Sequence, residues 1–229
     1  MKPTKLYLTL LLFFMFFLHS CSKEGLSYEE LSRLAALKTE EAVALTKGHA
    51  CGNLAEWRID TLYYTYVPVH PSFEEAYRKL QAEAQELYRR ANDAYEGPTR
   101  YNTSPVTLPP NFGIRCINGE VKVASAMDLE LTEINIRLSQ LFIDVTTFFE
   151  DRPCTDPSKW QTVTIRKDCE AIDVLYTDAP SFAIFGRKLE EFMHLEYAKR
   201  NLEGNAACST SPMPNKRIVC ENGKPKVTY

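Results

Sequence analysis

Acid–base, nucleophilic and metal chemistry draw on His, Cys, Ser and paired carboxylates, and this chain offers four His, seven Cys and 30 acidic residues. No serine sits in a Gly-x-Ser-x-Gly elbow, and no phosphate loop or dinucleotide fingerprint is present. Glu191-Phe-Met-His194 sets a carboxylate and an imidazole one helical turn apart, as in di-iron bundles, but those sites need the motif twice and two further Glu. The earlier helix offers Glu83 and Glu86 without a His, so the pattern reads as a solvated helix face. Glycoside hydrolysis needs two placed carboxylates, and no spacing singles out a pair. No catalytic residue, no metal site and no cofactor is therefore assigned. Five aromatic residues remain as candidate binding groups. Trp57 and Trp160, the only two Trp, suit a core anchor first and a sugar-stacking platform second. Tyr63, Tyr64 and Tyr66 fall within a strand-like run, which would turn at least one tyrosine face outward.

The cysteines lie at 21, 51, 116, 154, 169, 208 and 220. An internal repeat orders six of them. Cys51 precedes Trp57 by six residues, and Cys154 precedes Trp160 by the same interval. Pro71-Ser72-Phe73 recurs as Pro180-Ser181-Phe182, Arg78-Lys79-Leu80 as Arg187-Lys188-Leu189, and Tyr88 as Tyr197. Ser104-Pro105 recurs as Ser211-Pro212, and Cys116-x-Asn118-Gly119 as Cys220-x-Asn222-Gly223. The chain thus reads as two tandem homologous units, 21–124 and 125–229. Apart from Cys21 at its start, the first unit has only Cys51 and Cys116; these are expected to pair, and Cys154 then pairs with Cys220 by register. Cys169 and Cys208 occur only in the second unit and are expected to form the third bond. Each closes a long loop, worth up to roughly 4 kcal/mol in the chain-entropy account.

The elements that position these residues repeat as well. Ser27 with Glu30 forms a capping box ahead of Leu31, Leu34, Leu37 and Leu45, and Gly48 ends that helix. Ile134, Leu138, Leu141, Val145 and Phe148 make the corresponding apolar face in the second unit. A β-like run follows each Cys and Trp: Thr61 to Val69, then Gln161 to Ile165 with Ile172 to Thr177. A second helix begins at each Pro-Ser-Phe, the first capped by Ser72 with Glu75. Its buried stripe is expected at Phe73, Tyr77, Leu80, Ala84 and Leu87, and in the second unit at Phe182, Phe185, Leu189, Met193 and Tyr197. Asn118-Gly119 and Asn222-Gly223 predict type I′ hairpins. Pro-rich loops, 97–111 and 204–215, connect helix to hairpin. The expected fold is α+β, two disulfide-stapled units each built α–β–α–β-hairpin.

Composition is that of an ordinary globular chain: 229 residues, 45% hydrophobic, 25% charged and a net charge of −3. Without a basic excess, nucleic acid is not an expected partner. Lys2 and Lys5 precede an apolar run from Leu6 to Leu18, too short for the roughly 20 residues of a membrane span. Leu18-His19-Ser20-Cys21 resembles the lipobox of bacterial lipoproteins. That resemblance implies a signal peptide at 1–20 and lipid, palmitate among its chains, on Cys21 at the mature N-terminus. Ser22, not Asp, follows Cys21, and by the same resemblance this favours the outer membrane. Loss of Lys2 and Lys5 with the leader moves the net charge from −3 to −5.

The second unit resembles an uncharacterised family of small Cys-rich bacterial secreted or lipid-anchored domains. The residues that carry the resemblance are Cys154 to Trp160, Lys167-Asp168-Cys169 and Val219-Cys220-Glu221-Asn222-Gly223-Lys224. Glu170-Ala171-Ile172 departs from that family's Gly-Gly-Pro. The resemblance implies export and the four-Cys layout, and it supplies no catalytic residue. The functional expectation is a non-enzymatic, lipid-anchored envelope binding protein with a receptor, adhesion or inhibitor/immunity-type role and a protein or glycan partner. The alternatives are a cell-envelope hydrolase acting on glycan or peptide, and a structural spacer.

Overall fold

The computed structural model describes residues 25–97, 108–204 and 215–229. The leader, Cys21, Cys208 and most of both Pro-rich loops lie outside the described residues. Four helices and four two-stranded antiparallel sheets are present among those described. In chain order they are α1 (Tyr28–Ala44), β1 (Arg58–Leu62), β2 (Thr65–Val69), α2 (Glu74–Asp93), β3 (Ile114–Ile117) and β4 (Glu120–Val123). Then come α3 (Leu131–Thr146), β5 (Trp160–Lys167), β6 (Glu170–Thr177), α4 (Phe182–Leu202), β7 (Arg217–Glu221) and β8 (Lys224–Thr228). The class is α+β, and the order helix, hairpin, helix, hairpin occurs twice.

The expected α–β–α–β-hairpin order needs one correction: its first β element is a hairpin too. In the first half the chain reverses at Tyr63-Tyr64, where Tyr63 has φ 54°, so these residues form a turn and not the middle of a strand. In the second half Asp168 and Cys169 take φ 51° and 68° between β5 and β6. Neither turn contains glycine, so neither carries the usual signal for a left-handed backbone. The Asn-Gly turns at 118–119 and 222–223 do carry it, and all four residues have positive φ.

By contact the described chain forms two compact units: residues 25–45 with 75–97, and residues 46–74 with 108–204 and 215–229. This division does not follow the boundary between residues 124 and 125. The physical reason lies in the core of the larger unit, where Phe112, Ala124, Ala126 and Leu129 pack with Ile134, Leu138, Trp160, Phe185 and Phe192.

The smaller unit holds α1 and nearly all of α2. Ser27 caps α1 through the expected box with Glu30. The residues that α1 buries are Leu31, Ala35 and Ala42, whereas Leu37 is exposed. Lys38 Nζ bridges to Glu41 at 2.8 Å and to Glu83 of α2 at 3.3 Å.

In the larger unit, two disulfides clip loops to hairpins: Cys51–Cys116 and Cys154–Cys220, with Cα separations of 5.5 and 5.3 Å. They are the two pairings that the repeat register assigns. Cys169 is disulfide-bonded as well. Helix α3 buries Ile134, Leu138, Leu141 and Val145 as its spacing predicts, and Lys188 Nζ of α4 bonds Asp144 Oδ2 of α3 at 2.6 Å. Asp173 on β6 accepts from Lys216 Nζ at 2.5 Å and Thr164 Oγ1 at 2.7 Å, and from the Tyr229 hydroxyl at 2.8 Å. Burial opposes ionisation of Asp173, but these donors outweigh it and hold the carboxyl below its ordinary range.

Asp173→Ala leaves Lys216 with its charge largely buried, and a loss of about 3 kcal/mol in stability is expected. A depressed carboxyl pKa stabilises the fold above the unfolded value, and that contribution is lost as pH falls through the folded value. Denaturant titrations of wild type and variant should therefore diverge at neutral pH and converge in acid.

Candidate functional site

The site begins with the rotation of α4. An expected stripe through Phe185, Leu189, Met193 and Tyr197 takes three successive steps of four residues. At 3.6 residues per turn each step overshoots by about 40°, so the line winds about 120° around the helix. The structure buries a line that drifts the opposite way around the helix instead: Phe185, Phe192, Leu195 and Ala198 are each fully buried. Phe182, Met193 and Tyr197 are 40%, 54% and 58% exposed, which overturns their expected place in the core. Glu196 is 4% exposed. It lies eleven residues after Phe185, close to three whole turns, and so shares the buried line.

A groove of about 280 Å³ runs between α4 and β5. Thr164, Ile165 and Arg166 form one wall, and Phe192, Met193, Glu196, Tyr197 and Arg200 form the floor and the other wall. Lys199 of α4 bonds Asp168 in the β5–β6 turn and ties that end of the helix to the hairpin. Arg200 Nε donates to the backbone carbonyl of Glu196 at 3.3 Å. The Glu196 carboxyl gains nothing comparable: its Oε1 is buried and has no hydrogen-bond partner among the described residues. Burial is the main influence that pushes its pKa above the ordinary value, with Asp168 and Glu203 adding to it and Lys199 and Arg200 opposing. An unsatisfied buried carboxyl costs about 1–3 kcal/mol. What it offers is a hydrogen-bond acceptor, or a donor once protonated, inside a groove with an aromatic rim.

The sequence-predicted aromatics are placed differently from a binding platform. Trp57 and Trp160 are only 8% and 6% exposed, so neither presents an open ring face. Trp160 packs edge-on to Phe149 and supplies one wall of a second cleft, about 310 Å³, with Thr146, Glu150, Asp151 and Lys224. Trp57 contacts the rings of His49, His70 and Phe73. Tyr64 stands out at the β1–β2 turn, 66% exposed, while Tyr63 and Tyr66 are half-buried.

Sequence reading missed a second constellation. His70 lies between Glu56 and Ser72: its Nε2 is 3.1 Å from Glu56 Oε2, and its Nδ1 is 2.8 Å from Ser72 Oγ. The Ser72 backbone N–H also donates to Nδ1, at 3.2 Å, so His70 caps the turn that opens α2. The expected box of Ser72 with Glu75 is replaced by this cap. Asn53 and His70 hold the Glu56 carboxyl below its ordinary range. The tautomer that fits has Nε2–H donating to Glu56 and Nδ1 accepting, which would let His70 draw the Ser72 proton. The register position of His70 in the second half is Ala179, and that of Glu56 is Lys159. Among the described residues no group of three or more His, Cys, Asp and Glu is placed to hold a metal ion. Comparison of the chain with known protein families, curated proteins and solved structures finds no match.

Glu196→Gln removes the buried charge and keeps the shape. A raised folded-state pKa stabilises below the unfolded value and loses that contribution as pH rises, so wild type carries the penalty at neutral pH. The variant is expected to be about 1 kcal/mol more stable than wild type at neutral pH and level with it in acid. Equal unfolding midpoints at both pH values would contradict the assignment of Glu196 as a strained carboxyl.

Proposed function

We propose that this chain is a lipid-anchored cell-envelope binding protein, tethered through Cys21 to the outer membrane, with its folded body outside the cytoplasm. We read the twice-repeated order of elements as two tandem homologous units, 21–124 and 125–229, with Cys169–Cys208 as the third bond. Disulfides in this number belong to oxidising compartments, which supports export. Several acyl chains hold a membrane firmly, since each buried CH₂ adds about 0.8 kcal/mol. The observation that carries the binding reading is Glu196: a carboxyl whose buried Oε1 has no partner among the described residues lines an open groove, where it costs the fold stability and would serve recognition.

A second reading, an envelope hydrolase, rests on the Glu56–His70–Ser72 line of hydrogen bonds. Under it a fluorophosphonate probe labels Ser72, and His70→Ala abolishes the label. An unlabelled Ser72 ends that reading.

Two measurements test the first. In a bacterial host fed an alkyne palmitate, the full-length protein should take up label, and Cys21→Ser should lose it. Immobilised oxidised residues 22–229 should retain a component of envelope protein or polysaccharide fractions about tenfold more strongly than Glu196→Leu does, as the loss of one buried hydrogen bond predicts. Equal retention by the two, with both folded, removes Glu196 from the function.

A further inference from the structure

We propose that the outward face of α3 is a self-association surface, on which two copies of this chain pair through antiparallel α3 helices. The first observation is charge. The exposed residues of α3 are Thr132, Asn135, Ile136, Ser139, Gln140 and Ile143, with Thr147 at its cap, and none is charged. Over the whole chain 25% of residues are charged. The helices of the smaller unit show that charge on their surfaces: α1 exposes Glu29, Arg33 and Glu40, and α2 exposes Arg78, Glu86 and Arg89. On α3, Ile136 and Ile143 stand 69% and 55% exposed instead. Charged side chains are depleted at the core of protein interfaces, and exposed apolar groups gathered without them mark an interaction site.

The second observation is where the polar groups of this face place their hydrogen bonds. The Ser139 hydroxyl donates to the Asn135 carbonyl at 2.8 Å, and the Thr147 hydroxyl to the Ile143 carbonyl at 2.8 Å. Gln140 Nε2 donates to Asp144 Oδ1 at 2.9 Å. These donors are satisfied within the helix, so covering them costs little desolvation. The charges of α3 lie on one flank and are paired there. Glu133 meets Arg115 at 2.6 Å and Arg137 at 3.0 Å, and Asp144 meets Lys188 at 2.6 Å. A glycan or an ionic ligand gains no charge and few hydrogen bonds on such a face. A second face of the same kind fits it, and every copy of this chain carries one.

The third observation is register. At 3.6 residues per turn the stripe from Thr132 to Thr147 is about 100° wide. Its positions mirror one another about the midpoint between Ser139 and Gln140: Thr132 against Thr147, Ile136 against Ile143, and Ser139 against Gln140. A two-fold axis at that midpoint pairs the helices antiparallel and sets each Ile136 beside Ile143 of the other copy. The same axis brings the charged flanks to one side. Asp144 of the second copy then lies between Glu133 and Arg137, about 3 Å along the helix from each, and arrives with its own Lys188. Acids and bases alternate along that flank, so each acid has a base beside it. Antiparallel helices also bring opposite ends of their macrodipoles together. A single helix pair falls short of a standard interface of about 1,600 Å², so the dimer should be weaker than about 1 μM.

Sedimentation velocity on oxidised residues 22–229, from micromolar to millimolar concentration, tests the proposal. The average mass should rise from monomer towards dimer, and Ile136→Glu and Ile143→Glu should each weaken the association about tenfold or more. Tyr64→Glu, which adds the same charge at an exposed turn outside this face, should leave it unchanged, and thermal unfolding of each variant confirms the fold. Under mild oxidation, Ile136→Cys mixed with Ile143→Cys should give a disulfide-linked dimer. Ile136→Cys alone should not, because the two positions then stand about 10 Å apart along the helices, beyond disulfide reach. A monomer at every concentration overturns the proposal, as does a dimer that both Glu variants retain. Linkage of Ile136→Cys to itself overturns the antiparallel register. If the protein stays monomeric while it retains an envelope component that Ile136→Glu loses, the face belongs to a different partner and self-association is overturned.

Discussion

Phe185, Phe192, Leu195 and Ala198 decide how α4 lies on the core of the larger unit, and the remaining features of that unit follow from the choice. Each aromatic or branched side chain so buried contributes about 1.5–3 kcal/mol, more than any surface contact of the helix could oppose. With that line turned inward, α3 is held against α4 through Lys188 and Asp144, and β5 lies along the flank. The same rotation carries Glu196 inside and leaves Met193 and Tyr197 outside. The groove is therefore not added to the fold. It is the residue of a helix packing along one line while its sequence carries a second apolar line at an angle to the first.

The hairpins carry the loops and hold the disulfides, since each sheet has only two strands. An isolated two-stranded sheet is marginal in water, so the crosslinks and the helix faces must stabilise it. Cys154–Cys220 joins the loop before Trp160 to the last hairpin, and the Cys154 backbone N–H donates to the Gly223 carbonyl at 2.7 Å. Asp173 and Lys216 make a further link from β6 to the segment entering β7. Covalent and ionic ties thus converge on the half of the chain that contains the groove.

The Glu56–His70–Ser72 line shows how capping and chemistry draw on the same atoms. A histidine that accepts a backbone N–H at the start of a turn also stands within reach of the adjacent hydroxyl. Its carboxylate partner arrives from the segment before β1, fourteen residues earlier in the chain. That proximity depends on the β1–β2 hairpin, which brings the residue before β1 next to the residue after β2. The reversal occurs at Tyr63-Tyr64, a pair whose types favour a strand.

Much of the architecture was legible in the residues. The Asn-Gly turns, the Ser27 cap, the α3 face and the pairing of four cysteines follow from local rules or from the repeat, because each depends on near neighbours or on one register. The reversal at Tyr63 was not legible, since it lacks the glycine that usually marks a left-handed backbone, whereas the break between the strand-like runs ending at Ile165 and starting at Ile172 was. The candidate site was half legible. Glu196 stands on the line of Phe185 at an interval of eleven, a spacing that helix geometry makes visible once Phe185 is known to be inside. Only tertiary packing could decide that this line, and not the one through Met193 and Tyr197, is the buried one: both are apolar, and the difference lies in what α3 and β5 present to them.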